Sequence, residues 1–335
     1  SVEMNGSRKS KERFSSKDLC KILVDCGLLS ADQAKQVLSK ERAVREALLK
    51  KRKDRHVRPD DFMFVDVLLY LKVKRLDDPS KLLDEDAVFE CFAKAWQVPY
   101  RKIDPLKLEL DLVTRTIPRI FAMKHLLLPV DIEDNTLVVA TPDPFNEEAI
   151  SDVERACGLK VEPVVGSRSD IVKILNEFFG FRHSITAAED HFSARGVDLG
   201  NLEQYVRLKS DDELPATDQH IVNAVNHLFS YAFDQQASDI HIEPKRDASI
   251  IRMRIDGILH TVYRLPKKVH NAVASRVKTL SRLDMAEKRR PQDGRIKMEK
   301  ADKEVEIRVS TIPVAFGEKL VMRIMDPDVL LQDIE

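Results

Sequence analysis

Glycine is scarce in this chain, ten among 335 residues, and it never occurs in a GxxxxGK[ST] arrangement. A loop that cradles nucleotide phosphates with successive backbone N–H groups needs glycines at that spacing. The chain by itself is therefore not expected to hydrolyse nucleotide. Cysteine is rarer: Cys20, Cys26, Cys91 and Cys157 are scattered, with no CxxC pair. That removes zinc-ligand spacing, argues against a disulfide framework and reads as a reducing, cytosolic compartment. Cys157 borders an apolar helical pattern and is expected in a core. No apolar run reaches the ~18 residues of a membrane span, and no signal-peptide hydrophobic segment opens the chain. The expectation is a soluble protein that meets a membrane only through a partner. A net charge of −1 gives no argument for nucleic acid.

What is present suffices for folding. Hydrophobic residues make up 43% of the chain, and its length suggests two or three domains. Charge is uneven: Lys40 to Arg58 carry nine Lys or Arg against three acids. This reads as a solvated helix and loop, or as a contact for a membrane surface or another polyanion.

Residues 1–16 are polar and read as disordered or as an expression remnant. From Asp18 to Leu49 apolar residues recur at helical spacing, with Gly27 ending one helix and Ser30 capping the next. FMFVDVLLYLKV (62–73) reads as a buried helix, and Asp84 caps a helix through AVFECFAKAWQV (87–98). LLLPVDI and TLVVATPDP are short strands joined by EDN. A helix ended by Gly158, the strand LKVEPVVG and a helix capped by Ser167 or Ser169 follow. The order ββαβα predicts a small α/β sandwich with its sheet covered on one face. Residues 182–216 lack periodicity and read as a linker. Thr217 or Asp218 then caps a helix, followed by SDIHIEP, by IIRMRIDGILHTVYRL with a hairpin turn at Asp256–Gly257, and by a helix near 267–283. The strands GRIKMEK, VEIRVST and EKLVMRIMD complete an α+β domain with a largely antiparallel sheet.

The last two strands carry a polar face. Val305, Ile307 and Val309 alternate with Glu304, Glu306, Arg308 and Ser310. Leu320, Met322 and Ile324 form a buried set, with Arg323 on the opposite side. A hairpin loop at VAFG (314–317) sets Arg308 opposite Arg323. Like charges across a ladder, with Cβ atoms ~5 Å apart, are destabilising, so such a pair needs an anion, and a polyphosphate would serve. A register shifted by two pairs Arg323 with Glu306 instead, as a surface ion pair. Arg252 and Arg254 share a strand face that is either solvated or ligand-facing. His241, between Asp239 and Glu243, reads as structural rather than as a metal ligand. Ser238, Asp239, His241 and Asp256 have the residue types of a hydrolytic triad, but no nucleophile-elbow pattern supports one. Asp293–Gly294 reads as a turn.

Four stretches of text resemble a known family in the right order. ASDIHIEP (237–244), RMRIDG (252–257), LDMAEKRRPQDGRI (283–296) and VSTIPVAFGEKLVMRIMD (309–326) are similar to the N2 domain of the secretion ATPase superfamily. That superfamily includes the type II secretion ATPase and the type IV pilus assembly ATPase. AKAWQVPYRKIDP (93–105), TRTIPRIFAMKHLLLPV (114–130), LVVATPDPFN (137–146) and GLKVEPVVGS (158–167) resemble the N-terminal, N1, domain that precedes N2. The resemblance implies an N1 domain over 17–181, comprising a helical module and the sandwich. It further implies a linker over 182–216, a PAS-like N2 domain over 217–328, and the start of a second linker at 329–335, leading to a RecA-like ATPase domain beyond Glu335.

The resemblance also implies function. N2 of this family packs over the nucleotide held by the RecA-like domain of a hexamer and contributes arginines to its phosphates. Alignment puts those roles on Arg308 and Arg323, with Arg252, Arg254 and Arg295 as further candidates. ATP and Mg are then expected in the full-length ATPase, with none tightly held by residues 1–335. Implied partners are inner-membrane secretion or pilus platform proteins and further copies of the ATPase, which places the chain in the cytoplasm, peripheral to that membrane. A motorless adaptor docking on the same platform is the alternative. A second alternative is a degenerate cyclic di-GMP receptor: the family pattern aligns at LVDCGLL (23–29), but its Arg, Gly and Gln fall on Asp18, Cys20 and Glu41. Acidic side chains there would repel a dianionic ligand.

Overall fold

The computed structural model describes residues 14–51, 62–194, 218–300 and 303–326. The chain divides into two compact units, Ser1–Ile103 with Thr116–Val172, and Asp104–Arg115 with Lys173–Glu335.

The first unit opens with α1 (Ser16–Asp25), where Ser15 and Asp18 exchange side-chain and backbone hydrogen bonds in a capping box. Gly27, at φ 77, provides the left-handed residue that ends it. Ser30 caps α2 (Ala31–Lys51) as expected: its hydroxyl accepts the Gln33 N–H at 3.1 Å, and Gln33 Oε1 accepts the Ser30 N–H at 2.8 Å. α3 (Phe64–Tyr70) and α4 (Glu85–Trp96), the latter capped by Asp84, complete the module. Leu23, Leu29, Val37, Phe64, Leu68, Phe89 and Phe92 fill its core, each such burial contributing about 1.5–3 kcal/mol.

Two expectations fail in this module. Residues 14–16 are not a loose leader: Ser15 caps α1, and Phe14 stacks on Trp96 with ring centroids 5.3 Å apart. Cys26 and Cys91 are not free thiols but a disulfide, with Cα atoms 6.2 Å apart and 65 residues between them. Packing of α1 on α4 brings the two cysteines together, and no sequence spacing encodes that contact. Cys20 and Cys157 are free; Cys157 is half-buried rather than in a core.

Two short helices, α5 (Leu110–Thr116) and α6 (Arg119–His125), lead to the sandwich. It contains β1 (Leu128–Glu133), β2 (Thr136–Thr141), α7 (Glu147–Cys157) and β3 (Lys160–Val165), with strand order β1-β2-β3. Asp134 and Asn135 take φ 45 and 63 in the two-residue hairpin turn, and Gly158 at φ 69 caps α7. The next helix, α8 (Arg168–Ala194), runs through Gly180 and occupies residues 182–194, where a linker is expected. Poor apolar periodicity conceals this stretch because polar side chains dominate it. The remainder of the expected linker lies outside the described residues, as does 329–335.

The second unit takes in most of α5 and of α8, then α9 (Gln219–Asp234), capped by Asp218, β4 (Asp239–Pro244), β5 (Ala248–Ile255), β6 (Ile258–Pro266), α10 (Lys267–Leu280), β7 (Gln292–Lys300), β8 (Lys303–Val314) and β9 (Gly317–Met325). The sheet order is β6-β5-β4-β9-β8-β7, with every neighbouring pair antiparallel. Asp256 and Gly257, at φ 49 and 76, make the expected hairpin turn. α10 packs across β5, β6, β7 and β9 and against α9. Ile240, Ile251, Met253, Ile307, Val309, Leu320 and Met322 are buried.

That buried layer holds polar groups. His270 is 1% exposed; its Nε2–H donates to the Glu318 carbonyl at 2.9 Å, and its Nδ1 faces the Ser249 hydroxyl at 2.8 Å. Burial pushes the imidazole down to about 4, against the opposing effect of the Glu318 carbonyl. The unfolded ring takes a proton near pH 6.5 and the folded one does not, so stability is intact above pH 6.5 and falls as pH drops towards 4. The loss reaches about 3 kcal/mol at most. Unfolding free energies of wild type and His270→Gln between pH 7 and 4.5 test this. Wild type is expected to lose more stability than the variant, and parallel curves contradict the assignment.

Candidate functional site

The other face of the six-stranded sheet is polar, and its register decides what lies side by side. β8 and β9 pair with Val314 opposite Gly317, leaving Ala315 and Phe316 as the loop, so Arg308 stands opposite Arg323. Glu306 stands opposite Met325, and the shifted register that pairs it with Arg323 does not form. On the next strand Arg295 stands opposite Arg308. In the other direction Arg323 stands opposite Asp239, and Asp239 opposite Arg254. One row across five strands therefore reads Arg295, Arg308, Arg323, Asp239, Arg254. With strands ~4.8 Å apart, the first three guanidinium stems span about 10 Å, comparable in size to a polyphosphate chain.

The five arginines differ in what holds them. Arg308 is 64% exposed, and among the described residues its ion pair is with the Glu306 carboxylate, at 3.5 Å. Arg323 is 68% exposed, with its Nε donating to Asp239 Oδ1 at 3.0 Å. Arg295 is exposed, and no ion pair holds it among the described residues. Arg254 is tied twice, by Asp239 at 3.4 Å and by the Gly257 carbonyl at 3.0 Å. Arg252 is set apart in the next row, beside His241, with its Nε 3.9 Å from Glu243. Glu243 also faces Lys245 and Lys319, each at 3.5 Å. Burial raises its carboxyl, but Arg252, Lys319 and Lys245 together outweigh this and hold it below the usual range. Burial also lowers His241, reinforced by Lys319. The structure thus joins Arg295, Arg308, Arg323 and Arg254, and leaves Arg252 in a separate Glu243 cluster.

In the sequence Asp239 was legible as a neighbour of His241 and as one of the residue types of an unsupported hydrolytic triad. Its place between two arginines follows from the β4–β9 and β4–β5 registers, which pair residues 84 and 15 positions apart. Asp293 is not a turn residue: it lies in β7 and accepts the Ser310 hydroxyl at 2.5 Å. Gly294 has a steric reason. A Cβ there would meet the Ser281 carbonyl oxygen at 2.6 Å and the Leu283 side chain at 2.8 Å. Gly294→Ala is expected to cost about 1–3 kcal/mol through this overpacking and to lower the melting temperature; an unchanged melting temperature overturns the expectation.

In the first unit, the acids at the family's cyclic di-GMP positions have partners. Asp18 closes the α1 capping box, which holds its carboxyl below the usual range through the Ser15 hydroxyl. Glu41 accepts the Ser16 hydroxyl at 2.7 Å and pairs with Arg45 at 2.9 Å. Among the described residues, no helix is long and apolar enough to cross a membrane. No group of three or more His, Cys, Asp or Glu there could hold a metal ion.

Comparison with known proteins gives the relatives of this chain. Residues 215–335 match the type II/IV secretion system protein family, and residues 96–185 match the MshEN domain. The type IV pilus assembly ATPase TfpB of Acinetobacter baylyi is 38% identical over 76% of this chain and 44% of its own length. The type IV pilus assembly ATPase PilB of Myxococcus xanthus is 34% identical over 75% of this chain and 44% of its own length. The type II secretion system protein E of Xanthomonas campestris pv. campestris is 34% identical over 64% of this chain and 36% of its own length. The chain therefore spans less than half the length of these relatives. The two matched regions overlap the stretches that carry the sequence resemblance, and the chain belongs to the type II/IV secretion system protein family.

Proposed function

We propose that residues 1–335 form the regulatory and docking region of a hexameric ATPase that powers type II protein secretion or type IV pilus assembly. In this reading Arg308 and Arg323, flanked by Arg295, complete the ATP phosphate site of a RecA-like motor domain outside these residues. The observation that carries it is the register that sets Arg308 opposite Arg323 on an exposed sheet face. Two like charges so placed are destabilising unless an anion joins them. The terminal nitrogens of both guanidiniums are suited to phosphate oxygens, which they can bind in pairs. Positive charge there stabilises the charge that develops on phosphoryl transfer. It also lets the second unit respond to the nucleotide state.

Mg bound with ATP would supply further charge neutralisation; its ligands would come from the motor domain. The first unit is the docking region for an inner-membrane platform protein, which holds the ATPase at the cytoplasmic side. The deciding experiment is ATP turnover of the full-length enzyme carrying Arg308→Ala or Arg323→Ala. A loss of at least ~10-fold is expected, on the scale of one charge-stabilising donor. Wild-type turnover in either variant overturns the assignment.

A further inference from the structure

The arginine row contains one carboxylate that phosphate binding does not call for. Asp239 sits between Arg323 and Arg254, and its side chain is only 7% exposed. A carboxylate beside an anion site repels the anion, and aspartate is seldom buried without partners. Its contacts indicate why it is there. Oδ1 accepts the Arg323 Nε–H at 3.0 Å. Oδ2 accepts the Ser238 hydroxyl at 2.8 Å and lies 3.4 Å from Arg254 Nε.

Arg323 is thereby held from the side of its fork. Of the five guanidinium donors, the four on the terminal nitrogens are left for a ligand, and the side chain is 68% exposed. Arg254 lacks that freedom, because its Nη1 donates to the Gly257 carbonyl at 3.0 Å. Among the described residues Arg308 has no buried anchor, its partner being the Glu306 carboxylate at 3.5 Å. A long side chain fixed before binding loses less rotamer freedom when the ligand arrives.

Building on the phosphate reading above, we propose that Asp239 is the positioning residue of that site. It fixes Arg323 through Nε so that the terminal nitrogens present a preformed fork to a phosphate group, while Asp239 itself does not touch the ligand.

Net charge and positioning predict opposite signs. Asp239→Ala makes the face more positive by one charge, so a site governed by charge alone binds polyphosphate more tightly. A positioning role predicts weaker binding, by about tenfold, the scale of one lost charge-assisted hydrogen bond. The experiment titrates inorganic tripolyphosphate into the 335-residue chain at low salt by calorimetry. In parallel, NMR follows the arginine Nε–H resonances of wild type, Arg308→Ala, Asp239→Ala and Asp239→Asn. Asp239→Asn keeps an oxygen for Arg323 Nε and is expected to retain most of the affinity, with the Arg323 Nε–H resonance still hydrogen-bonded.

Equal or tighter binding by Asp239→Ala, with Arg308→Ala still weakened, overturns the positioning role and leaves the phosphate reading standing. The chain alone is expected to bind only weakly, so absence of binding by wild type even at ~1 mM tripolyphosphate, or no effect of Arg308→Ala, overturns the phosphate reading and this proposal with it. Should Asp239→Ala fail to fold, Asp239→Asn decides: retained affinity with an unshifted Arg323 resonance supports positioning, and lost affinity overturns it.

Discussion

Under the proposed phosphate role, Arg308→Ala in the full-length protein is expected to lower ATP turnover at least ~10-fold while leaving stability within about 0.5 kcal/mol of wild type. The two halves of this expectation have separate origins. The side chain is 64% exposed and its one carboxylate contact, with Glu306, is long at 3.5 Å, and exposed ion pairs of this kind contribute little. In the proposed reading its value lies in what its charge meets when nucleotide is bound. Arg323→Ala is expected to show the same loss of turnover with a different stability. Removing it leaves the buried Asp239 carboxylate with Arg254 and Ser238 alone, at a cost of about 1 kcal/mol. Paired turnover and unfolding measurements on both variants check this. A variant that turns over ATP normally, or an Arg308→Ala protein that unfolds readily, contradicts the account.

The largest stability effect is expected on the opposite face of the same sheet. Glu318 continues the alternation of Leu320 and Met322 into the helix-covered layer, where it meets Lys278 of α10 at 2.5 Å. The two side chains are 9% and 1% exposed. The Lys278 ammonium also donates to the Glu287 carbonyl at 2.7 Å, which ties the chain after α10 to the helix. Truncating either partner strands a charge in an apolar layer, so Lys278→Ala or Glu318→Ala should each cost about 3–5 kcal/mol. Replacing both together, with Lys278→Met and Glu318→Leu, should recover most of that loss, because the desolvation cost disappears with the charges. Amide hydrogen exchange in α10 and β9 measures this locally. Single variants that lose less than about 1 kcal/mol of protection, or a double variant no better than either, would rule out a tightly coupled pair.

Much of the fold was legible because its signals are local. Ser30, Asp84, Gly158 and Asp218 mark helix ends through bonds and backbone angles within a few residues of themselves. The alternation through 304–310 and 319–325 separates a core face from a polar face without knowledge of any neighbour. The four motifs between 237 and 326 pointed to the family in the same way. Where local signals were weak, as over 182–194, a helix was read as a linker.

Pairing was a different matter. Outside 182–194, the sequence by itself determined most of which residues are helical, which are extended and which side of the strands at 304–310 and 319–325 faces water, since these depend on residues one to four apart. Only the tertiary structure decided between Arg308 and Glu306 as the neighbour of Arg323, placed Asp239 between two arginines, joined Cys26 to Cys91 and buried Lys278 against Glu318. Each of these depends on strand register or helix packing. A two-residue slip keeps every side chain on its face while exchanging every cross-strand partner, so the face can be read from alternation, and the partner is fixed by the turn geometry and the packing of the whole sheet.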